Sequence, residues 1–194
     1  MQRFDVRRGM RRPWQRPVGA LLASMWLLAG TAQASDDWEF EEAVLSVHHG
    51  SVVSTLANPA SDGHQLGDLR VVSLPITDAA GHELGRLDAT LTTVSIDVPA
   101  LNDETRISTL VFAFGDGVDQ LVVNGTGFYP AAGGTIDLNS VLVRPVTGGS
   151  GIFAGATGSA ETRHFADDTW EHTFFILIPE RDDDEDEDED EDED

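Results

Sequence analysis

Between Val146 and Gly158 the chain reads Val-Thr-Gly-Gly-Ser-Gly-Ile-Phe-Ala-Gly-Ala-Thr-Gly, with five glycines set among apolar residues. Each glycine costs a helix roughly 1 kcal/mol relative to alanine, so a helix is a poor reading of this stretch. Such a stretch suits a tight connection within a sheet, which needs positive φ and close approach of backbones.

The sequence on either side agrees. Runs rich in Val, Ile, Thr, Leu and Phe fall at 38–48, 69–77, 83–97, 106–114, 120–128, 135–146, 156–164 and 171–178. Turn signals separate them, among them Asp78-Ala79-Ala80-Gly81, Gly115-Asp116-Gly117, the stretch from Pro130 to Gly134, and Asp167-Asp168. No useful helical period is found after residue 34. Short antiparallel strands in this number predict an all-β sandwich or a closed barrel.

Several runs are apolar on both faces. Ile107, Val111 and Ala113 alternate with Leu110, Phe112 and Phe114, and Phe174, Ile176 and Ile178 alternate with Phe175 and Leu177. A monomeric barrel needs one dry face, so the second predicts a covered exterior and a homo-oligomer.

Both ends differ in character from the middle. Residues 1–34 read as a secretory signal: Arg3, Arg7, Arg8, Arg11, Arg12 and Arg16 precede an apolar stretch from Val18 to Leu28, and Ala32-Gln33-Ala34 forms a small-x-small cleavage site. The apolar stretch falls short of the roughly 20 residues a membrane span needs. Residues 35–181 fit a single domain, and 182–194 are all Asp or Glu. Such a tail has no apolar side chains to offset the entropy of ordering, so disorder is expected. The expected location is secreted or periplasmic, with no membrane association after cleavage.

Cysteine is absent, which removes thiol catalysis, cysteine-based metal sites and disulfides, and leaves stability to the packed core. The formal net charge is −23, and every basic residue is arginine. A chain of this charge should repel nucleic acid and anionic membranes.

The glycine segment, with Phe114-Gly115-Asp116, Leu66-Gly67-Asp68-Leu69 and Gly50-Ser51, resembles the allene oxide cyclase barrel family, which also includes the plant dirigent proteins. The resemblance spans most of 43–178 in the same order. It implies an eight-stranded antiparallel barrel, commonly trimeric, with a ligand cavity in the lumen. It also implies isomerase or cyclase chemistry, and most of the family's polar set is replaced here. Aligned on Gly50-Ser51, the glutamate and asparagine of the family's first strand fall at Ala43 and Leu45. The family serine is kept as Ser51, and the proline after it is Val52. A further family asparagine falls at Leu74 and the cysteine near Leu91. The family tyrosine falls at Gly127, or at Tyr129 after a two-residue shift that keeps the same strand face.

On the first run, Glu41, Ala43, Leu45, Val47 and His49 share the more apolar face and are placed inward. Tyr129, Ser51 and Glu41 are thus the catalytic candidates, Glu41 as an acid or base near a barrel mouth. Ala43, Leu45, Val47, Ser51, Leu74, Leu91 and Tyr129 are the expected lumen. His164 and His172, with Asp167, Asp168 and Glu171 nearby, are the one set to weigh as a surface zinc or copper site. No His-x-x-x-His or Glu-x-x-His spacing supports it, and neither metal nor cofactor is expected. Asn124-Gly125-Thr126 has the form of a glycosylation sequon and reads as a strand-to-turn transition. The leading expectation is a barrel holding a small apolar guest, fatty-acid-derived or phenolic, and shielding it or guiding its cyclisation or coupling. The rival is a non-catalytic interaction barrel with a packed lumen; a third is cation buffering by the tail.

Overall fold

The computed structural model describes residues 39–58, 63–98, 103–130 and 134–180. The expected signal segment and acidic tail lie outside the described residues. The strands are β1 Phe40–His49, β2 Thr55–Leu56, β3 Leu69–Thr77, β4 Glu83–Val98, β5 Asp103–Phe114, β6 Asp119–Pro130, β7 Val141–Ser150, β8 Thr157–His164 and β9 Trp170–Pro179. All pairings are antiparallel, in the order β1-β9-β8-β7-β6-β5-β4-β3-β2. The sheet closes where β1 meets β3, through His48 opposite Thr77. The two-residue β2 lies on β3 beyond that point, with Thr55 opposite Val71. The architecture is an eight-stranded antiparallel barrel with this short strand added at its seam.

Alternation sorts the side chains as the sequence predicts. Leu110, Phe112, Phe114, Phe174 and Ile176 are buried, whereas Ile107, Phe175 and Leu177 stand exposed on the outer face. The sixth run, which becomes β7, begins later than its composition suggests, at Val141 rather than 135. Asn139 takes φ 62 and Ser140 donates its hydroxyl to the Asp137 carbonyl at 2.6 Å, so this stretch turns before it pairs. Ile136, freed from the sheet, packs on Tyr129 and Trp170.

Asn124 sits within β6 rather than at its end, a correction to the reading of 124–126 as a strand-to-turn transition. Its side chain accepts from Thr109 and donates to Thr147, each at 2.7 Å, which ties three adjacent strands together.

The glycine segment builds one end of the barrel. Its first part completes β7, and residues Gly151–Phe153 form a 3-10 turn. Gly151 has φ 60 and lies so close to Asp119 that a Cβ would come 2.9 Å from the Asp119 Cα. The Asp119 carboxylate accepts the Ile152 amide at 2.9 Å. This turn folds Phe153 inward, where its ring lies 5.3 Å from that of Phe114. With Leu121, Val146, Phe174 and Ile176 it forms a solid floor, so this half of the lumen is filled by side chains.

Candidate functional site

At the other end the lumen opens into a cavity of about 160 Å³. Val72, Leu87, Ala89, Leu91 and Leu110 form its apolar wall, and exposed Ser54 and Thr135 belong to its rim. The remaining lining is polar and aromatic: Arg70, Arg106, Arg144, Tyr129, His49, His172, Thr162 and Trp170. Strand parity explains this. Arg70 shares its face of β3 with buried Val72 and Ile76, Arg106 its face of β5 with Leu110 and Phe112, and Arg144 its face of β7 with Val146.

The three guanidiniums have unequal partners. Glu104, wholly buried, holds Arg106 in a close pair, lies 3.4 Å from Arg70 and lies 3.1 Å from His64 Nδ1. Arg70 also donates to Thr93 Oγ1 at 3.0 Å and to the Gly63 carbonyl. Arg106 donates to the Gly134 carbonyl at 2.9 Å and stacks 4.2 Å over the Tyr129 ring. Arg144 is different. It donates from Nη2 to the Tyr129 hydroxyl, and among the described residues no carboxylate pairs with it. Its Nε is buried with no acceptor among the described residues, as is Trp170 Nε1. Burial pulls Arg106 below its ordinary value, repulsion from Arg70 adding to it, and burial does the same to Arg144.

The histidines form a second group. The Gly50 carbonyl can only accept, so His49 Nδ1 donates to it at 2.7 Å. In the neutral ring His49 Nε2 then accepts from His172 Nε2 at 3.0 Å, and His172 Nδ1 accepts from the Thr162 hydroxyl at 2.9 Å. Burial pushes His172 well below its ordinary value, helped by His49 and Arg144. His49 is lowered mainly by burial, which its bond to Gly50 partly opposes. Trp170 stacks on His164 at 4.2 Å and on His49 at 5.7 Å.

Of the residues singled out in the sequence, Leu91 and Tyr129 line the cavity. Ala43 and Val47 face inward in the filled half, with Leu45 and Leu74 packed against the same core. Ser51 is exposed beside the mouth, and its hydroxyl donates to Asp168 rather than facing the lumen. Glu41 is exposed at the floor end, opposite Ile178, because the inward face of β1 leaves the barrel before reaching it. His164 and His172 do not converge: His164 bonds the Ile136 carbonyl at 3.1 Å and Asp168 at 2.9 Å, while His172 is inside with His49. Among the described residues no group of three or more His, Asp or Glu could hold a metal ion.

The arginines, Thr162 and Trp170 are the site residues that composition alone does not single out. Their signal is a charged or polar residue at the inward parity of an otherwise apolar strand.

This barrel is shared with solved proteins. A pyocyanin demethylase superposes with a TM-score of 0.51 at 12% identity, covering 69% of this chain and 99% of its own. A pterocarpan synthase dirigent protein gives 0.52 at 16% identity, over 80% and 98%. A nonspecific heme-binding cyclase that catalyses a (4 + 2) cycloaddition during neoabyssomicin biosynthesis gives 0.50 at 20% identity, over 76% and 68%. At these identities the likeness extends to the fold. No family model matches the chain, and no curated protein matches it in sequence.

Proposed function

We propose that this chain is an exported, homo-oligomeric barrel, a trimer by analogy with the allene oxide cyclase family, whose mouth cavity holds a small conjugated guest and guides its cyclisation or coupling. The observation that carries this reading is a 160 Å³ cavity above a filled floor. A space of that size takes roughly one aromatic ring with a short substituent, since a cavity of about 150 Å³ accommodates benzene. That favours a phenolic guest over a fatty-acid chain enclosed end to end. The fold neighbours supply a precedent for guided cyclisation, since they include a dirigent protein and a cyclase. Catalysis in such a site is positioning, with the reactivity supplied by the guest. The allene oxide cyclase variant of the reading is the weaker one, because Ala43, Leu45 and Leu74 occupy positions where that family carries polar groups.

The solid floor favours a second reading, in which the barrel binds nothing and serves as an interaction module. Thermal unfolding with phenolic and fatty-acid-derived compounds separates the two. A ligand barrel gains about 2.7 kcal/mol at a hundredfold excess over Kd, and an interaction module gains nothing. Native mass spectrometry of protein purified from its own host checks the same point by looking for a retained guest.

A further inference from the structure

We propose that the guest is an anion: an aromatic or conjugated molecule carrying a carboxylate or phenolate oxygen, anchored by Arg144 and Trp170. This rests on the ligand-barrel reading and specifies its chemistry.

The argument begins with charge. Three guanidiniums line one small cavity. The carboxylate behind them, Glu104, is already engaged by Arg70, Arg106 and His64. Asp68, also buried, accepts the Gln65 amide at 2.9 Å and does not line the cavity. The histidine pair contributes no negative charge, and burial favours its neutral form. The lining is therefore net positive, and Arg144, 4% exposed, has only the Tyr129 phenol as its hydrogen-bond partner among the described residues. A buried guanidinium without a counterion is costly, and a bound anion removes that cost.

Hydrogen-bond polarity points the same way. Arg144 Nε and Trp170 Nε1 are both donors, both buried, and both lack an acceptor among the described residues. Buried indole N–H groups ordinarily find one. Both belong to residues that line the same cavity, and a small rotation of either side chain would bring its donor to an acceptor-only group there, which a carboxylate or phenolate oxygen supplies. The rest of the lining fits the body of such a guest, since Leu87, Ala89, Leu91 and Leu110 form an apolar wall.

The test uses two matched pairs with the full chain: trans-cinnamate against methyl trans-cinnamate, and para-nitrophenolate in mildly alkaline buffer against para-nitroanisole. Binding is read by isothermal titration. The wild type is expected to prefer at least one anion over its neutral partner by about tenfold or more. The pair showing the larger preference distinguishes a carboxylate from a phenolate guest. Arg144→Met is expected to erase the preference while retaining the neutral compound, and without ligand it should melt higher than the wild type, because a buried charge has been removed. If Arg144→Met does not fold, Trp170→Phe serves in its place and should weaken the anion more than its neutral partner. Neutral compounds binding as tightly as anions, or a preference that survives Arg144→Met, overturn the proposal and leave the ligand-barrel reading standing. No binding by any of the four overturns both.

Discussion

His172 is the most deeply perturbed histidine of the cavity, and its environment makes a prediction about acid. Burial together with the nearby His49 and Arg144 sets its value in the folded protein well below the 6.5 of an ordinary histidine. Below that ordinary value the unfolded chain takes up a proton that the folded chain refuses, so stability falls as pH falls. The stabilisation is complete above about pH 6.5 and is lost progressively below it, by at most about 1.4 kcal/mol per pH unit for each proton involved. His49 shifts in the same direction and adds to the slope. Urea unfolding at neutral and mildly acid pH should therefore show a drop for the wild type and a smaller one for His172→Gln. Equal drops would mean that the histidine chain is not what titrates. Protonation also removes the ring-nitrogen acceptors of the links from Thr162 to His172 and from His172 to His49, while the His49 donation to the Gly50 carbonyl survives, so cavity geometry and stability should change over the same range.

Among the elements, the strands were the most legible part of the sequence. The alternation of Leu110, Phe112 and Phe114 with Ile107 and Val111 separates the two faces of the strand without saying which the barrel buries, and on β1 the more apolar face, with Ala43, Leu45 and Val47, is the inward one. The glycine segment was readable as a tight connection, but not as a floor, because sequence spacing does not reveal that Phe153 turns back onto Phe114. The cavity was the least legible. Arg106 and Arg144 look like surface residues by type, and only their parity on an inward face marks them as lumen residues. Glu41 shows a related limit: parity gives the face of a strand but not which end of the barrel a residue reaches, and here it stands exposed at the floor end. The outer faces carry a further expectation. Phe40, Val44, Phe175 and Leu177 are exposed on the paired strands β1 and β9, with Val44 directly opposite Phe175. If this surface joins copies of the chain, Phe175→Asp should shift light-scattering mass from oligomer to monomer without changing the cavity. A wild type that is monomeric at micromolar concentration would remove the oligomer from the reading.

Taken whole, the molecule is a cylinder with two unlike halves, and bulky substitutions should tell them apart. Leu45 packs into the filled half, so Leu45→Trp should cost about 1–3 kcal/mol or more through overpacking. Leu91 borders the cavity, so Leu91→Trp should cost little stability and should abolish ligand-induced stabilisation. Denaturant unfolding with and without ligand checks both. Equal penalties at the two positions would mean that the upper half has no usable space. The way the cylinder closes has its own consequence. Every other junction between its long strands is a ladder of several residue pairs, but β1 and β3 meet only at His48 and Thr77. His49, the next residue, supports the histidine chain and stacks on Trp170. The junction with the fewest residue pairs thus lies next to the histidine chain of the cavity; if the barrel takes a guest wider than the mouth, this is the line whose brief parting would admit it.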